Sequence, residues 1–251
     1  MRLLLLGLLL VITTTLTATT YYLDFTNGDD QNDGLSPAAP WKTAGRIRLV
    51  PGTVLPGNEY LFKRGEIWRA TRFYLPDSGT PGAPLVFGAY GDTADPLPIL
   101  SAVGELPNAN IPSNWVEIST GIWTIQVNRA PARLLIDGAE VLRSSSRDSV
   151  GIADNEGATG RWFYTPATME LRLQHGTNPA IAYASISGSI EPTPFQVDGG
   201  SHLVITNLEL RGGDVAALQV LGGTDISVTS CTIGRYARNG ISLNRSSARP
   251  V

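Results

Sequence analysis

A 23-residue period in the last third of the chain constrains the fold more than any other feature of the sequence. Every apolar position of one repeat is apolar again in the next: Phe195, Val197, Leu203, Ile205, Leu208 and Leu210 recur as Leu218, Val220, Ile226, Val228, Cys231 and Ile233. The first register continues to Ile241, and Gly200 recurs as Gly223. Repetition at this period indicates structural repeats that stack on their neighbours.

Within each repeat the apolar residues are two apart, which predicts short strands. Turn-forming pairs such as Gly199-Gly200 and Thr206-Asn207 separate the strands, and a longer corner follows from Arg211 to Ala216. Three strands and three corners predict a triangular coil, and like residues then stack about 4.8 Å apart. The sequence therefore predicts an all-β fold, a right-handed parallel β-helix with 23-residue coils. A leucine-rich repeat is the alternative, but it requires a fixed Asn and a helical segment.

The β-helix coils are expected over residues 183–251. The last strand, from Ile241 to Leu243, has no later strand to pair with, and an uncovered coil end is prone to aggregate. We therefore expect the coils to be truncated at their C-terminal end and the chain to be the front part of a longer protein.

Composition and charge narrow the class of protein. Hydrophobic residues make up 42% of the 251-residue chain and charged residues 16%, which predicts a sizeable core. The net charge of −3 lacks the basic excess typical of nucleic-acid binding. Cys231 is the one cysteine, so no disulfide forms within the chain. Within an alternating strand we interpret it as a small core residue rather than a nucleophile.

Residues 1–20 are typical of a signal peptide. Arg2 precedes an apolar run from Leu3 to Ile12, and small or polar residues follow, with Ala18 as a candidate cleavage position. A buried N-terminal strand or helix is the alternative. No second long apolar run follows, so we expect a secreted, periplasmic or cell-surface bacterial protein, monomeric and without a membrane span after cleavage.

Residues 21–100 are predicted to form an N-terminal cap and the first β-helix coils. Their first loop, from Asn27 to Gly34, is acidic and rich in turn residues. We interpret the loop first as Asx turns that hold the chain entry. Asp29 and Asp33 as calcium ligands are the alternative, in a partial match to a calcium loop whose distal Glu is missing, since Pro40 occupies its position. Calcium is accordingly the one cofactor considered.

Three segments of this region together resemble a known superfamily. They are 27–37 with Trp41-Lys42-Thr43, 61–69 (LFKRGEIWR) and 78–91 (SGTPGAPLVFGAYG). In this order they resemble the N-terminal cap and first coils of secreted bacterial β-helix proteins of the pectin-lyase-like superfamily. The resemblance covers residues 21–100 and 183–251 and is specific for the fold. It implies an activity among polysaccharide lyases, glycoside hydrolases, phage tailspikes and adhesive surface proteins.

Residues 101–182 break the 23-residue period. Strand-like segments there, such as Gly121 to Ile125 and Glu170 to Leu173, are separated by turn signals, which predicts an antiparallel region. It resembles the small β-sandwich inserted into some β-helix glycoside hydrolases, with a long irregular coil as the alternative. Trp162 and Tyr164 could stack on a sugar ring, but we expect them to pack in a core.

The visible coils offer candidate substrate-binding residues but no catalytic set. Hydrolysis of a glycoside needs two carboxylates, and lyase chemistry needs a base together with cationic charge. The candidates for polysaccharide binding are Asp198, Arg211, Asp214 and Arg238, and no carboxylate lies one coil after Asp198. Catalytic residues are expected beyond residue 251. We expect a secreted carbohydrate-active protein, a polysaccharide lyase or glycoside hydrolase whose fragment alone is inactive; a non-catalytic polysaccharide-binding adhesin or tailspike-like protein is the alternative.

Overall fold

A computed structural model of the protein describes residues 17–146, 148, 150, 161–234 and 238–244. Most of the expected signal peptide, residues 1–20, lies outside this part of the chain. The elements up to residue 146 are β1 (Thr20–Leu23), α1 (Arg46–Leu49), β2 (Glu59–Lys63), β3 (Ile67–Trp68), β4 (Phe73–Leu75), β5 (Leu85–Tyr90), β6 (Ile99–Ser101), β7 (Val103–Glu105), a 3-10 turn (Pro112–Asn114), β8 (Val116–Ser119), β9 (Ile122–Gln126), β10 (Leu134–Ile136) and β11 (Ala139–Val141). Those after residue 160 are β12 (Trp162–Thr165), β13 (Glu170–Gln174), α2 (Pro179–Ala182), β14 (Ile186–Ser189), β15 (Phe195–Asp198), β16 (Leu203–Thr206), β17 (Glu209–Arg211), β18 (Ala216–Leu221), β19 (Ile226–Thr229), β20 (Thr232–Gly234) and β21 (Asn239–Asn244).

The strands of the described residues form five sheets of two kinds, which confirms the predicted all-β class. Three sheets are parallel: sheet A (β1-β2-β5-β16-β19), sheet B (β20-β17-β6-β3) and sheet C (β21-β18-β15-β4). Two are antiparallel: sheet D (β11-β10-β14-β7) and sheet E (β12-β13-β9-β8). The mixture means that one kind of pairing does not run through the whole chain.

The 23-residue period appears directly in the strand register. Phe195 pairs with Leu218, Leu203 with Ile226 and Leu210 with Ile233, one pair in each parallel sheet. The corners repeat as well: left-handed backbone occurs at His202 and Asp225 (both φ 54°), and again at Asn207 (φ 54°) and Ser230 (φ 51°). Side chains at these corners stack too, since the Thr229 hydroxyl lies 3.1 Å from the Thr206 hydroxyl. The register predicted from the repeat is therefore confirmed.

Strands far apart in sequence pair directly beneath these coils. β4, β5 and β6 lie next to β15, β16 and β17 in sheets C, A and B. The strands of sheets D and E come from residues 103–189, between those two sets. The chain therefore leaves the parallel sheets after β6 and returns to them at β15.

Two hydrophobic cores follow from this path. The first lies between the parallel sheets, where aromatic rings stack from Tyr21 and Trp41 (centroids 4.7 Å apart) through Tyr60 and Phe87 (4.9 Å) toward Phe195. The second is shared by sheets D and E. Trp162 and Tyr164 are buried in this second core, as expected from their strand setting. In the part of the chain that the structure describes, helices long and apolar enough to cross a membrane are absent.

Candidate functional site

A cavity of about 500 Å³ opens beside sheet C and combines aromatic side chains with arginines. We call it the cationic cavity, and its walls include Phe25, Arg48, Trp68, Arg69, Arg72 and Tyr74. Among the described residues that line it there are three arginines and no aspartate or glutamate. Its volume falls within the range of about 300–1,000 Å³ that is usual for small-molecule sites.

The acidic loop positions one wall of this cavity. The Asp30 carboxylate accepts hydrogen bonds from the backbone N–H groups of Lys42 (3.0 Å) and Thr43 (2.9 Å), and from the Thr43 hydroxyl (2.7 Å). Thr43 lines the cavity, and the chain continues into α1. Ile47 of α1 is fully buried, so the neighbouring Arg48 is directed outward.

The corner between β3 and β4 positions the opposite wall. Trp68 and Phe73, at the two ends of this corner, are buried and anchor it in the first core. Ala70 adopts φ 50°, and its N–H donates to the Val103 carbonyl (3.1 Å). The tight reversal leaves Arg69 and Arg72 exposed on the cavity side.

Two of the three arginines are held by neighbouring side chains. The Arg48 Nε lies 3.3 Å from Asp77 Oδ2, and the guanidinium carbon lies 5.5 Å from the centre of the Tyr74 ring. Arg72 Nη2 donates to Gln196 Oε1 (3.0 Å). Arg69 has no side-chain partner among the described residues. The cavity thus contains two oriented guanidinium groups and a third that is free to contact a ligand.

A hydrogen bond joins this cavity to Asp198, one of the residues singled out from the sequence. The Tyr74 hydroxyl donates to Asp198 Oδ2 at 2.7 Å. This bond and, secondarily, burial raise the pKa of Tyr74, while the charges of Arg48 and Arg72 act in the opposite direction. Tyr74 is therefore a neutral donor near neutral pH, and Asp198 is its acceptor.

The four predicted substrate-binding residues do not form one cluster, although two of them are paired. Asp214 pairs with Arg238 (3.7 Å), and Arg211 pairs with Glu209 on its own strand. Asp198 ends β15 and is in register with Leu221 at the end of β18, whereas Asp214 precedes the first residue of β18. The two carboxylates therefore lie toward opposite ends of that strand pair. Only Asp198 of these four adjoins the cationic cavity.

Gln196 differs from its expected exposure. The alternation of β15 predicts a solvent-facing side chain, yet Gln196 is only 5% exposed. The reason is that Arg72, from a corner more than a hundred residues earlier, covers it. A polar residue expected at the surface instead orients a cavity arginine.

The candidate calcium ligands are occupied by backbone hydrogen bonds. Asp29 Oδ1 accepts from the Gln31 N–H, and Asp33 Oδ1 accepts from the Leu35 N–H, both at 2.9 Å. These are Asx turns, as the favoured interpretation of the loop predicted. Groups of three or more His, Cys, Asp or Glu able to hold a metal ion are absent from the described residues.

Sequence reasoning missed Arg48, Arg69, Arg72 and Tyr74 as site residues. They belong to α1, to one corner and to β4, and no repeat or motif relates them. The one available signal is the position of Arg69 and Arg72 on either side of a short turn between buried aromatic residues. These two arginines come close to α1 only through the packing of the N-terminal segments against one another.

Comparisons with known proteins place the chain among carbohydrate-related neighbours. No family model matches the sequence. The chain is 33% identical over 93 residues to lacto-N-biosidase of Bifidobacterium longum subsp. longum, a match covering 37% of this chain and 6% of that protein. A solved structure described as a glycoside hydrolase matches with TM-score 0.57 at 12% identity, over 89% of this chain and 63% of the other. The structure of XylC with xylose matches with TM-score 0.55 at 10% identity, over 86% and 43%. These two structures share the fold, and the chain spans less than two thirds of each of these proteins.

Proposed function

We propose that the chain is part of a carbohydrate-active protein and that the cationic cavity binds saccharide. The observation that carries this proposal is the 33% identity over 93 residues to a protein named lacto-N-biosidase. A glycoside hydrolase and a xylose-bound protein with the same fold support it at the level of architecture.

The chemistry of the cavity suits a sugar ring. Phe25 is 38% exposed and offers an apolar ring face, and Tyr74 offers both a ring and a hydroxyl. The arginines supply N–H donors for sugar oxygens, and each guanidinium has five. Trp68 is only 2% exposed, so it supports the cavity wall rather than a ligand.

The finer fold we propose is the right-handed parallel β-helix of the pectin-lyase-like superfamily. The parallel pairing of sheets A, B and C and their 23-residue register support this assignment. Sheets D and E would then be the antiparallel insert. In such an architecture a polysaccharide lies along an outer sheet face, because side chains fill the interior.

Cleavage of a glycosidic bond is proposed for the whole protein. Hydrolysis is the preferred mechanism, and lyase chemistry is the alternative. The chain spans 6% of the relative, so the described residues need not include the catalytic ones. Near the cavity, Asp77 pairs with Arg48 and Asp198 accepts from Tyr74, so both carboxylates are already engaged. A polysaccharide-binding surface protein without catalysis is the second candidate, since saccharide binding by the cavity requires no free carboxylate.

Export is the remaining part of the proposal. The apolar run from Leu3 to Ile12 after Arg2 supports a signal peptide and an extracellular, periplasmic or cell-surface protein. N-terminal sequencing of the protein recovered from outside the cytoplasm tests it. An N-terminus at or just before Tyr21 is expected, and recovery with Met1 intact would contradict it.

Affinity electrophoresis tests saccharide binding by the chain itself. The protein is run through gels that contain neutral or acidic polysaccharides, with serum albumin as the reference protein. We expect retardation by at least one polysaccharide. Unchanged mobility in every gel would contradict the proposed function. Incubation of the longer protein with the retarding polysaccharide then separates the candidates: new reducing ends indicate hydrolysis, unsaturated products indicate a lyase, and neither indicates binding alone.

A further inference from the structure

We propose that the cationic cavity recognises an anionic saccharide, through a carboxylate or sulfate group held by Arg48, Arg69 and Arg72. This inference rests on the proposed function, since it assumes that the cavity takes a saccharide, and it adds the charge class of that saccharide. The tested sources of negative charge are uronate and sulfate ester.

The cavity is positively charged although the chain as a whole is negatively charged. The net charge is −3, yet the described residues lining the cavity include three arginines and no carboxylate, and only Arg48 of the three is paired with a carboxylate, that of Asp77. A further cation lies beside it, since Lys42 Nζ is 5.5 Å from the centre of the Phe25 ring. Concentrated positive charge in a concave, partly apolar site attracts an anion more strongly than the same charges on an open surface.

Arg48 and Arg72 are oriented before a ligand arrives. Gln196 is buried and accepts from one Arg72 nitrogen, which fixes that side chain while most of its donors are unused by this bond. Asp77 and the Tyr74 ring hold Arg48 in the same way. Oriented guanidinium groups match the paired oxygens of carboxylate and sulfate, and less side-chain entropy is lost on binding.

Arg69 is the residue best placed to respond to a ligand. Its side chain is exposed, lines the cavity and has no partner among the described residues. Its guanidinium donors are therefore not engaged by any side chain among the described residues. Removing its charge therefore reports on ligand binding with little effect on folding.

Isothermal titration calorimetry of the chain tests the inference with three probes: trigalacturonate, a sulfated carrageenan tetrasaccharide and neutral maltotriose. We expect at least one anionic probe to bind more tightly than maltotriose, and less tightly when salt rises from about 50 to about 500 mM. Arg69→Gln should weaken that binding about tenfold, and Arg69→Gln with Arg72→Gln should weaken it further. Which anionic probe binds identifies carboxylate or sulfate as the recognised group.

Arg64→Gln is the matched control. Arg64 donates to the Asp95 carbonyl (3.1 Å) and does not line the cavity, so its loss should leave affinity within twofold. The inference is overturned if neither anionic probe binds, if maltotriose binds equally well, or if Arg69→Gln keeps wild-type affinity. Failure of the proposed function looks different, because then no polysaccharide retards the protein in the electrophoresis experiment.

Discussion

At the scale of single residues, the Tyr74–Asp198 hydrogen bond is the contact that can be followed most directly. The Asp198 carboxylate raises the pKa of Tyr74 above its ordinary value. Asp198→Asn removes that negative charge, so the pKa of Tyr74 should fall toward about 10. Ring-carbon NMR of labelled tyrosine measures the shift, with Tyr74→Phe to assign the signal. Asp225→Asn, at a corner without a tyrosine contact, should leave the pKa of Tyr74 unchanged. An equal Tyr74 pKa in wild type and Asp198→Asn would contradict the Tyr74–Asp198 hydrogen bond.

A second residue-scale prediction concerns Asp24, which is buried beside Lys63 (Nζ to Oδ2, 2.6 Å). Burial alone would raise the pKa of Asp24, but the hydrogen bonds from Lys63 and Asn27 outweigh it and lower the pKa. Because the folded pKa lies below the unfolded one, the carboxylate stabilises the fold above about pH 4, and this contribution is lost as pH falls through the folded value.

Asp24→Asn should therefore lower the free energy of unfolding by about 1–3 kcal/mol at pH 6 and by much less near pH 3. Urea unfolding at a series of pH values measures the difference. Asp92→Asn, on an exposed turn, is the control and should show no comparable pH dependence. A constant difference between wild type and Asp24→Asn across the range would contradict the lowered pKa.

At the scale of elements, the coil corners decide how closely the strands can stack. Gly223 adopts φ 89°, and a Cβ there would collide with the Gly200 carbonyl of the coil below. Gly199 adopts φ 80° with open space around it, and Gly176 has neither a positive φ nor a close neighbour. Substituting each of the three glycines therefore distinguishes the free-energy cost of a left-handed backbone from the cost of a steric clash with the next coil.

Alanine substitution should follow that order. Gly176→Ala should change the free energy of unfolding by less than about 0.5 kcal/mol. Gly199→Ala should cost about 1–2 kcal/mol because of its left-handed backbone. Gly223→Ala should carry the same backbone cost and about 1–3 kcal/mol more for overpacking. Urea unfolding ranks them. Equal effects at Gly199 and Gly223 would mean that the coils do not approach as closely as the structure describes.

At the scale of the whole molecule, the two hydrophobic cores should contribute independently to stability. Ile205 lies in the core of the parallel sheets and Ile125 in the core shared by sheets D and E. Ile205→Val and Ile125→Val should each cost about 0.5–1.5 kcal/mol. Because they share no neighbours, the double variant should equal the sum within about 0.5 kcal/mol. Phe87 is the register partner of Ile205, so the pair Phe87→Leu and Ile205→Val is the coupled control. Their combined effect on the free energy of unfolding should depart from the sum of the single effects.

The parallel coils could be predicted from the sequence because stacking is a local relation repeated at one spacing. Each residue meets the residue 23 positions later, so the apolar pattern encodes both the strand and its neighbour. The Asx turns of the acidic loop are similarly local, since each carboxylate reaches an N–H two residues away. The burial of Gln196 was not predictable, because the side chain covering it comes from a distant corner.

Residue order alone was sufficient to predict the all-β class, the register of the last coils and the burial of Trp162 and Tyr164. The position of the candidate site, by contrast, depends on how distant segments pack. Arg48, Arg69 and Arg72 share no period, and they meet because the acidic loop holds α1 against the corner between β3 and β4. A repeat fixes neighbours through backbone spacing, whereas a cavity depends on how non-repeating segments pack. The same physical difference explains why Asp198, chosen for its position on an outer strand face, proved to adjoin the cavity while Asp214 did not.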